Sequence, residues 1–174
     1  MFFKKRKIFG MFLIIMWGWA LNATAELQGS RFAQPDAVHE NKQGIHSYNS
    51  GFYDHLPHGR KAEATHEFVQ AEKAFKKAIE IDSNYVEAHR NLARLYFVQK
   101  KFNDSAAEYS KVIELAPYDL ETYVCLARVQ LKLGNFTRAI EYLELVKTKT
   151  ENSQKIQRLN EYIEKIKQVE QPTQ

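Results

Sequence analysis

Cysteine is almost missing from this chain of 174 residues, where Cys125 stands alone. No intrachain disulfide can staple the fold, and neither a paired-cysteine metal knuckle nor a CxxCH haem attachment can be built. Glycine and proline are scarce and unevenly spread: Gly10, Gly18, Gly29, Gly44, Gly51, Gly59, Pro35 and Pro57 precede residue 60, and only Gly134, Pro117 and Pro172 follow it. A glycine-rich phosphate loop is thereby excluded from the larger part of the chain, and long helices there meet few breakers. An excess of one charge is also missing. Lys4, Lys5, Arg6 and Lys7 carry the whole net charge of +4, and without them the 25 basic residues fall to the number of the acidic ones, 21. A neutral body lacks the basic stripe that a phosphate backbone requires, so no nucleic-acid partner is expected.

What is present begins with an address. Residues 1–25 combine the basic stretch Met1 to Lys7, an apolar run from Ile8 to Ala20, and the small-residue ending Ala23-Thr24-Ala25. These are the three regions of a secretory signal peptide, with cleavage expected after Ala25 at the Ala23-x-Ala25 site. An uncleaved membrane anchor is the alternative, but a spanning helix needs roughly 20 apolar residues and this run is shorter. The expected location is periplasmic or secreted, with inner-membrane anchoring as the alternative; any membrane contact would come only through the uncleaved signal. Residues 26–60 read as a polar, irregular arm holding one short helix near Ala37 to Tyr48. Its histidines 39, 46, 55 and 58 raise a metal-binding alternative with His55 and His58 as the candidate ligands, although Pro57 lies between them.

From Lys61 onward apolar residues recur at three and four, the period of amphipathic helices, and no segment alternates as a strand does. A longer period overlies this one. A shift of 34 aligns Phe68, Phe102 and Phe136; Ala71, Ser105 and Ala139; Phe75, Tyr109 and Leu143; Ala78, Val112 and Val146. Leu92 with Leu126, Ala93 with Ala127 and Arg94 with Arg128 align over two copies. Each unit is two short helices, which cannot bury their apolar faces alone and must stack on neighbours.

These columns resemble the tetratricopeptide repeat, whose pattern is carried here by His89, Leu92, Ala93, Tyr96, Ser105, Tyr109, Val112 and Pro117, and again by Tyr123, Leu126, Ala127, Gly134, Ala139, Leu143 and Val146. His89, Gln130 and Glu151 depart from it. The resemblance implies an all-α, short TPR-type helical solenoid of helix pairs: a degenerate first repeat whose second helix lies in 61–85, repeats at 86–119 and 120–153, and a capping helix at 154–171. An upstream segment around Gly44 to Tyr48 is available as the missing first helix, with 51–60 as an insertion. Asn103, Asp119 and Thr137 suit the N-cap positions.

In this family the first helices line a concave groove, which the resemblance maps onto Glu87, Arg90, Arg94, Phe97 and Val98, then Glu121, Val124, Arg128, Leu131 and Lys132. Arg90, Arg94 and Arg128 beside Phe97 and Leu131 suit an acidic or C-terminal peptide segment of another protein that carries a hydrophobic side chain. The competing reading is a solvated face whose arginines are neutralised by Glu87 and Glu121. Cys125 falls mid-helix, and no nucleophile, base or paired-carboxylate motif is present, so no enzymatic activity and no cofactor are expected. The function expected is a non-enzymatic adaptor or scaffold of the bacterial cell envelope. The alternatives are a His-rich metal-binding periplasmic protein or a signal-anchored membrane spacer.

Overall fold

A computed structural model describes residues 33–170, the Glu170 side chain excepted. The signal segment with Ala23 and Ala25, and residues 26–32 of the expected arm, lie outside the described residues. The described residues from Pro35 onward form one compact unit. Its described part is helical and contains no strand. Helix α1 (Pro35–Asn49) runs into a π-helical turn (Ser50–His55) and a 3-10 turn (Leu56–His58), and is followed by α2 (Lys61–Ile81), α3 (Val86–Val98), α4 (Phe102–Leu115), α5 (Leu120–Lys132), α6 (Phe136–Lys149) and α7 (Ser153–Glu170). Helices pack as the pairs α1/α2, α3/α4 and α5/α6, with α7 against α6 and further contacts from each pair to the next. Among the described residues no helix is long and apolar enough to cross a membrane.

The period of 34 is the packing. Ala71, Ser105 and Ala139 are each 0% exposed, where the close approach of paired helices leaves room for little more than a methyl group. Ser105 fits because its hydroxyl donates to the Ala93 carbonyl at 2.8 Å and is not left unsatisfied in the core. Phe75, Tyr109 and Leu143 fill the larger column, and Leu92 and Leu126 are each 1% exposed at equal places on α3 and α5. Burying one such leucine stabilises the fold by about 1.5–3 kcal/mol.

The short helix expected near Ala37 to Tyr48 is present and longer, over Pro35–Asn49, and residues 35–58 as a whole are helical and not irregular. They form α1 and its continuing turns, docked on α2, and α1 stands as the first helix of the pair whose second helix is α2. The docking face consists of Ala37, Asn41, Gly44, Tyr48 and Gly51, spaced by three and four but built mostly of small residues. A Cβ added to Gly44 would lie 2.5 Å from the Phe75 ring, and one on Gly51 would lie 2.8 Å from Phe68, so the glycines are what let α1 approach. Asn41 is buried and satisfied: its Nδ2 donates to the Tyr85 hydroxyl at 3.2 Å, and its Oδ1 accepts from Asn91 Nδ2 at 3.0 Å. A Lys77–Glu40 ion pair at 2.6 Å closes the outer edge.

Two capping expectations shift by two residues. Lys101 and Asn135 occupy the N-caps of α4 and α6, which places Asn103 and Thr137 inside the helices, because Phe102 and Phe136 already have helical backbone. Asp119 caps α5 as expected, accepting from the Glu121 N–H. On α7, Leu159, Ile163 and Ile166 are buried against α5 and α6, whereas Val169, past the last of these contacts, is 66% exposed.

Candidate partner-binding cleft

Stacking two helix pairs side by side turns the first helix of each toward the same surface. Here α3 and α5 meet over the N-terminal half of α4 and leave a cleft of about 560 Å3, a size that accepts a peptide side chain or a small ligand. Its α3 side carries Arg94, Phe97, Val98 and, in the following turn, Lys100; its α5 side carries Glu121, Cys125, Arg128 and Lys132. Phe102 and Tyr109 of α4 lie in the floor, and Tyr48 and Phe52 enter from the end of α1.

Aromatic rings shape the walls. Tyr48 and Phe52 stack with centroids 5.6 Å apart and planes at 7°, and Phe97 meets Phe102 edge-on at 5.6 Å. The Arg128 guanidinium sits over the Phe97 face at 5.4 Å, a cation–π contact that holds the charge in position without neutralising it. Burial pushes the Tyr48 hydroxyl up, and burial followed by the neighbouring Cys125 does the same to Tyr109, so both phenols stay protonated at neutral pH.

The cations divide sharply. Arg94 reaches Glu121 at 3.4 Å across the cleft mouth, an exposed pair of small net worth. Lys100, Arg128 and Lys132 have no acidic partner among the described residues. One carboxylate thus faces four cations, in a trough that is otherwise largely aromatic. Such a surface is built to receive an anion that carries apolar groups with it.

Four of the groove residues expected from the sequence, Glu87, Arg90, Val124 and Leu131, do not line the cleft, and Val124 packs instead against the cluster of Ala127, Leu143 and Leu159. Arg90 is not in the cleft: its Nη2 donates to Asp119 at 2.7 Å, with Glu87 at 4.0 Å, and so ties α3 to the cap of α5. Partial burial pushes the Asp119 carboxyl up, but hydrogen bonds from Thr122 and Arg90 outweigh this and hold it below the ordinary carboxylate range. Leu131 packs inward with Ala127, Leu143 and Leu159. Within α5 it sits on the face toward α6 and α7, one position from the cleft-lining Lys132.

His55 and His58 do not converge on an ion site. His58 Nδ1 donates to the Asp54 carbonyl at 2.7 Å, and His55 Nε2 lies 3.4 Å from the Ser50 hydroxyl. Among the described residues no group of three or more His, Cys, Asp or Glu side chains is arranged to hold a metal.

The cleft residues that sequence reasoning missed are Tyr48, Phe52, Lys100, Phe102, Tyr109 and Cys125. Two signals were available. Tyr48 and Phe52 are an aromatic pair four residues apart, one helical turn, and Lys100 stands one period before Gly134.

Tetratricopeptide repeat models match residues 56–119 and 120–148 of the chain. No curated protein sequence matches significantly. Among solved structures, the chain is similar to the TPR2B domain of yeast Sti1 in its complex with pHsp70, at 18% identity and TM-score 0.61, covering 78% of this chain and 99% of that one. It is similar to the first TPR of Spaghetti (RPAP3) bound to the HSP90 peptide SRMEEVD, at 17% identity and TM-score 0.54, covering 74% and 94%. It is also similar to the Yersinia enterocolitica type III secretion chaperone SycD in complex with a peptide of the translocator YopD, at 15% identity and TM-score 0.55, covering 73% and 94%.

Proposed function

Because the chain belongs to the tetratricopeptide repeat family, we propose that it is a non-enzymatic adaptor or scaffold of the cell envelope, holding an acidic segment of another protein in the cleft between α3 and α5. The observation that carries this reading is the set of three cations without acidic partners, Lys100, Arg128 and Lys132, around the aromatic walls of one cleft. Charge-assisted contacts to carboxylates are stronger than neutral hydrogen bonds, and in a partly water-excluded trough they fix both the register and the sign of what binds. The similar domains of Sti1, RPAP3 and SycD occur in complexes with protein partners or peptides, one of them the acidic SRMEEVD. The envelope setting rests on the basic, apolar and Ala23-x-Ala25 parts of residues 1–25.

Affinity capture from the native envelope tests the adaptor, with wild type beside Arg128→Glu/Lys132→Glu. Wild type should retain a partner that the reversed variant loses, with unchanged helical content. Retention of the same partner by the variant would move recognition off this cleft. N-terminal sequencing of exported protein should begin at Glu26; an intact Met1 on a membrane-bound product would replace export by anchoring.

A further inference from the structure

The cleft has a neighbour with different chemistry. A second cavity of about 440 Å3 opens beside it, and the two share Tyr48, Phe52 and Arg94, so one extended segment can occupy both. At the shared edge Arg94 is engaged by Glu121. Beyond it Ile45 and Tyr53 complete an aromatic and aliphatic wall, Asn49 and Asn91 also line the cavity, and no further cation does. The joined channel is therefore anion-seeking at one end and uncharged, with aromatic, aliphatic and amide side chains, at the other.

The uncharged end carries an unfinished aromatic ladder. Tyr48 stacks on Phe52, and Phe52 meets Tyr53 edge-on with centroids 4.9 Å apart and planes at 85°. The last rung is open: Tyr53 is 63% exposed and Ile45 37%. The π-helical turn over Ser50–His55 carries Phe52 and Tyr53, and such turns are rare in helices and concentrated at functional sites. These residues precede position 56, where the family match begins.

We propose that Ile45, Tyr48, Phe52 and Tyr53 form a side-chain subsite that selects an aromatic residue in the partner segment, next to the acidic group held at Arg128. The proposal rests on the cleft being the partner-binding site. An aromatic side chain continues the ladder through offset-stacked or edge-on contacts that an aliphatic one of equal area cannot make.

The probes are fluorescent peptides with one shared acidic end, in which Trp, Leu or Ala is walked through the positions upstream of it. Titration against the full chain should show, at one position, preference for Trp over Leu of about three- to tenfold and a larger preference over Ala. In Ile45→Ala/Tyr53→Ala, whose side chains lie outside the core, the Trp preference should vanish while the Ala peptide binds as to wild type. Equal binding of the three peptides to wild type, with binding still lost in Arg128→Glu, would overturn the subsite and leave the cleft standing. A Trp preference that survives in the double variant would also overturn it. If no acidic peptide binds at all, the subsite and the cleft reading fall together.

Discussion

Lys100 has a backbone φ of 61°, a region that residues other than glycine rarely enter, and one repeat later the same place is held by Gly134 at φ 78°. The left-handed conformation costs a residue with a Cβ about 1–2 kcal/mol. Lys100→Gly removes that strain and returns about 0.4–1 kcal/mol of chain entropy to the unfolded state. Nothing else is lost, because Lys100 is exposed and makes no ion pair among the described residues. The net expectation is a stabilisation of about 0.5–1 kcal/mol, a rise in melting temperature of roughly 1–4 °C for a domain of this size. Gly134→Ala, which imposes the same strain one repeat later, should lower stability by about 1 kcal/mol. The ammonium of Lys100 also lines the cleft, so the stabilised variant should bind acidic peptides about two- to fivefold more weakly at low salt, with a shallower dependence on ionic strength. Thermal unfolding followed by circular dichroism, beside a peptide titration, reads both effects. A Lys100→Gly variant that melts below wild type would refute the strain. One that melts higher and binds equally well would remove Lys100 from the anion site.

Leu92→Ala and Leu126→Ala should each destabilise by about 3–5 kcal/mol, since both leucines are 1% exposed at equal places in successive repeats; denaturant unfolding measures this, and a loss under 1 kcal/mol at either would show a site that collapses or is not core. His89 is buried with Nδ1 at 2.7 Å from Glu108 and Nε2 at 3.1 Å from the Ser83 carbonyl, two acceptors that only the imidazolium satisfies together. Burial acts to lower its pKa, but those hydrogen bonds outweigh it and the folded value is raised above the ordinary 6.5. The resulting stability is fully present below about pH 6.5 and is lost as pH rises through the folded value, so wild type should lose melting temperature over that window and His89→Phe should not; parallel pH profiles would contradict it. Gly44→Val should undock α1, because even a Cβ meets the Phe75 ring at 2.5 Å. Hydrogen exchange over residues 35–58 should then accelerate ahead of the repeats, and unchanged protection would mean the interface yields.

The repeats were legible because their columns are chemically loud: Leu92 with Leu126, Tyr109 with Leu143 and Ala71 with Ala139 combine bulk and smallness at a fixed interval, and packing demands both. A short helix near Ala37 to Tyr48 was legible, but the extent of α1 and its docked face were obscured for the opposite reason. Its buried face uses Ala37, Asn41 and Gly44, too small or too polar to stand out as an apolar stripe, and its tight contact is made by an absent side chain. The cleft was half legible. Arg94, Phe97, Arg128 and Lys132 follow from their places on first helices, but the role of Arg90 depends on Asp119, 29 residues away across a helix boundary. Leu131 was misplaced because period alone puts it on the groove face, whereas α7, which the repeat pattern does not include, gives it a buried surface on the other side.

The central claim is that the concave cleft, and not the outer surface, receives the partner. Its most direct test is an amide and side-chain NMR map of the chain titrated with the acidic peptides described above. The account predicts that shifts concentrate on Arg94, Phe97, Lys100, Arg128 and Lys132, with Tyr48 and Phe52 following when the peptide carries an aromatic residue. Saturable binding whose shifts fall instead on the exposed face of α2 around Val69 and Lys73, with the cleft silent, would contradict it.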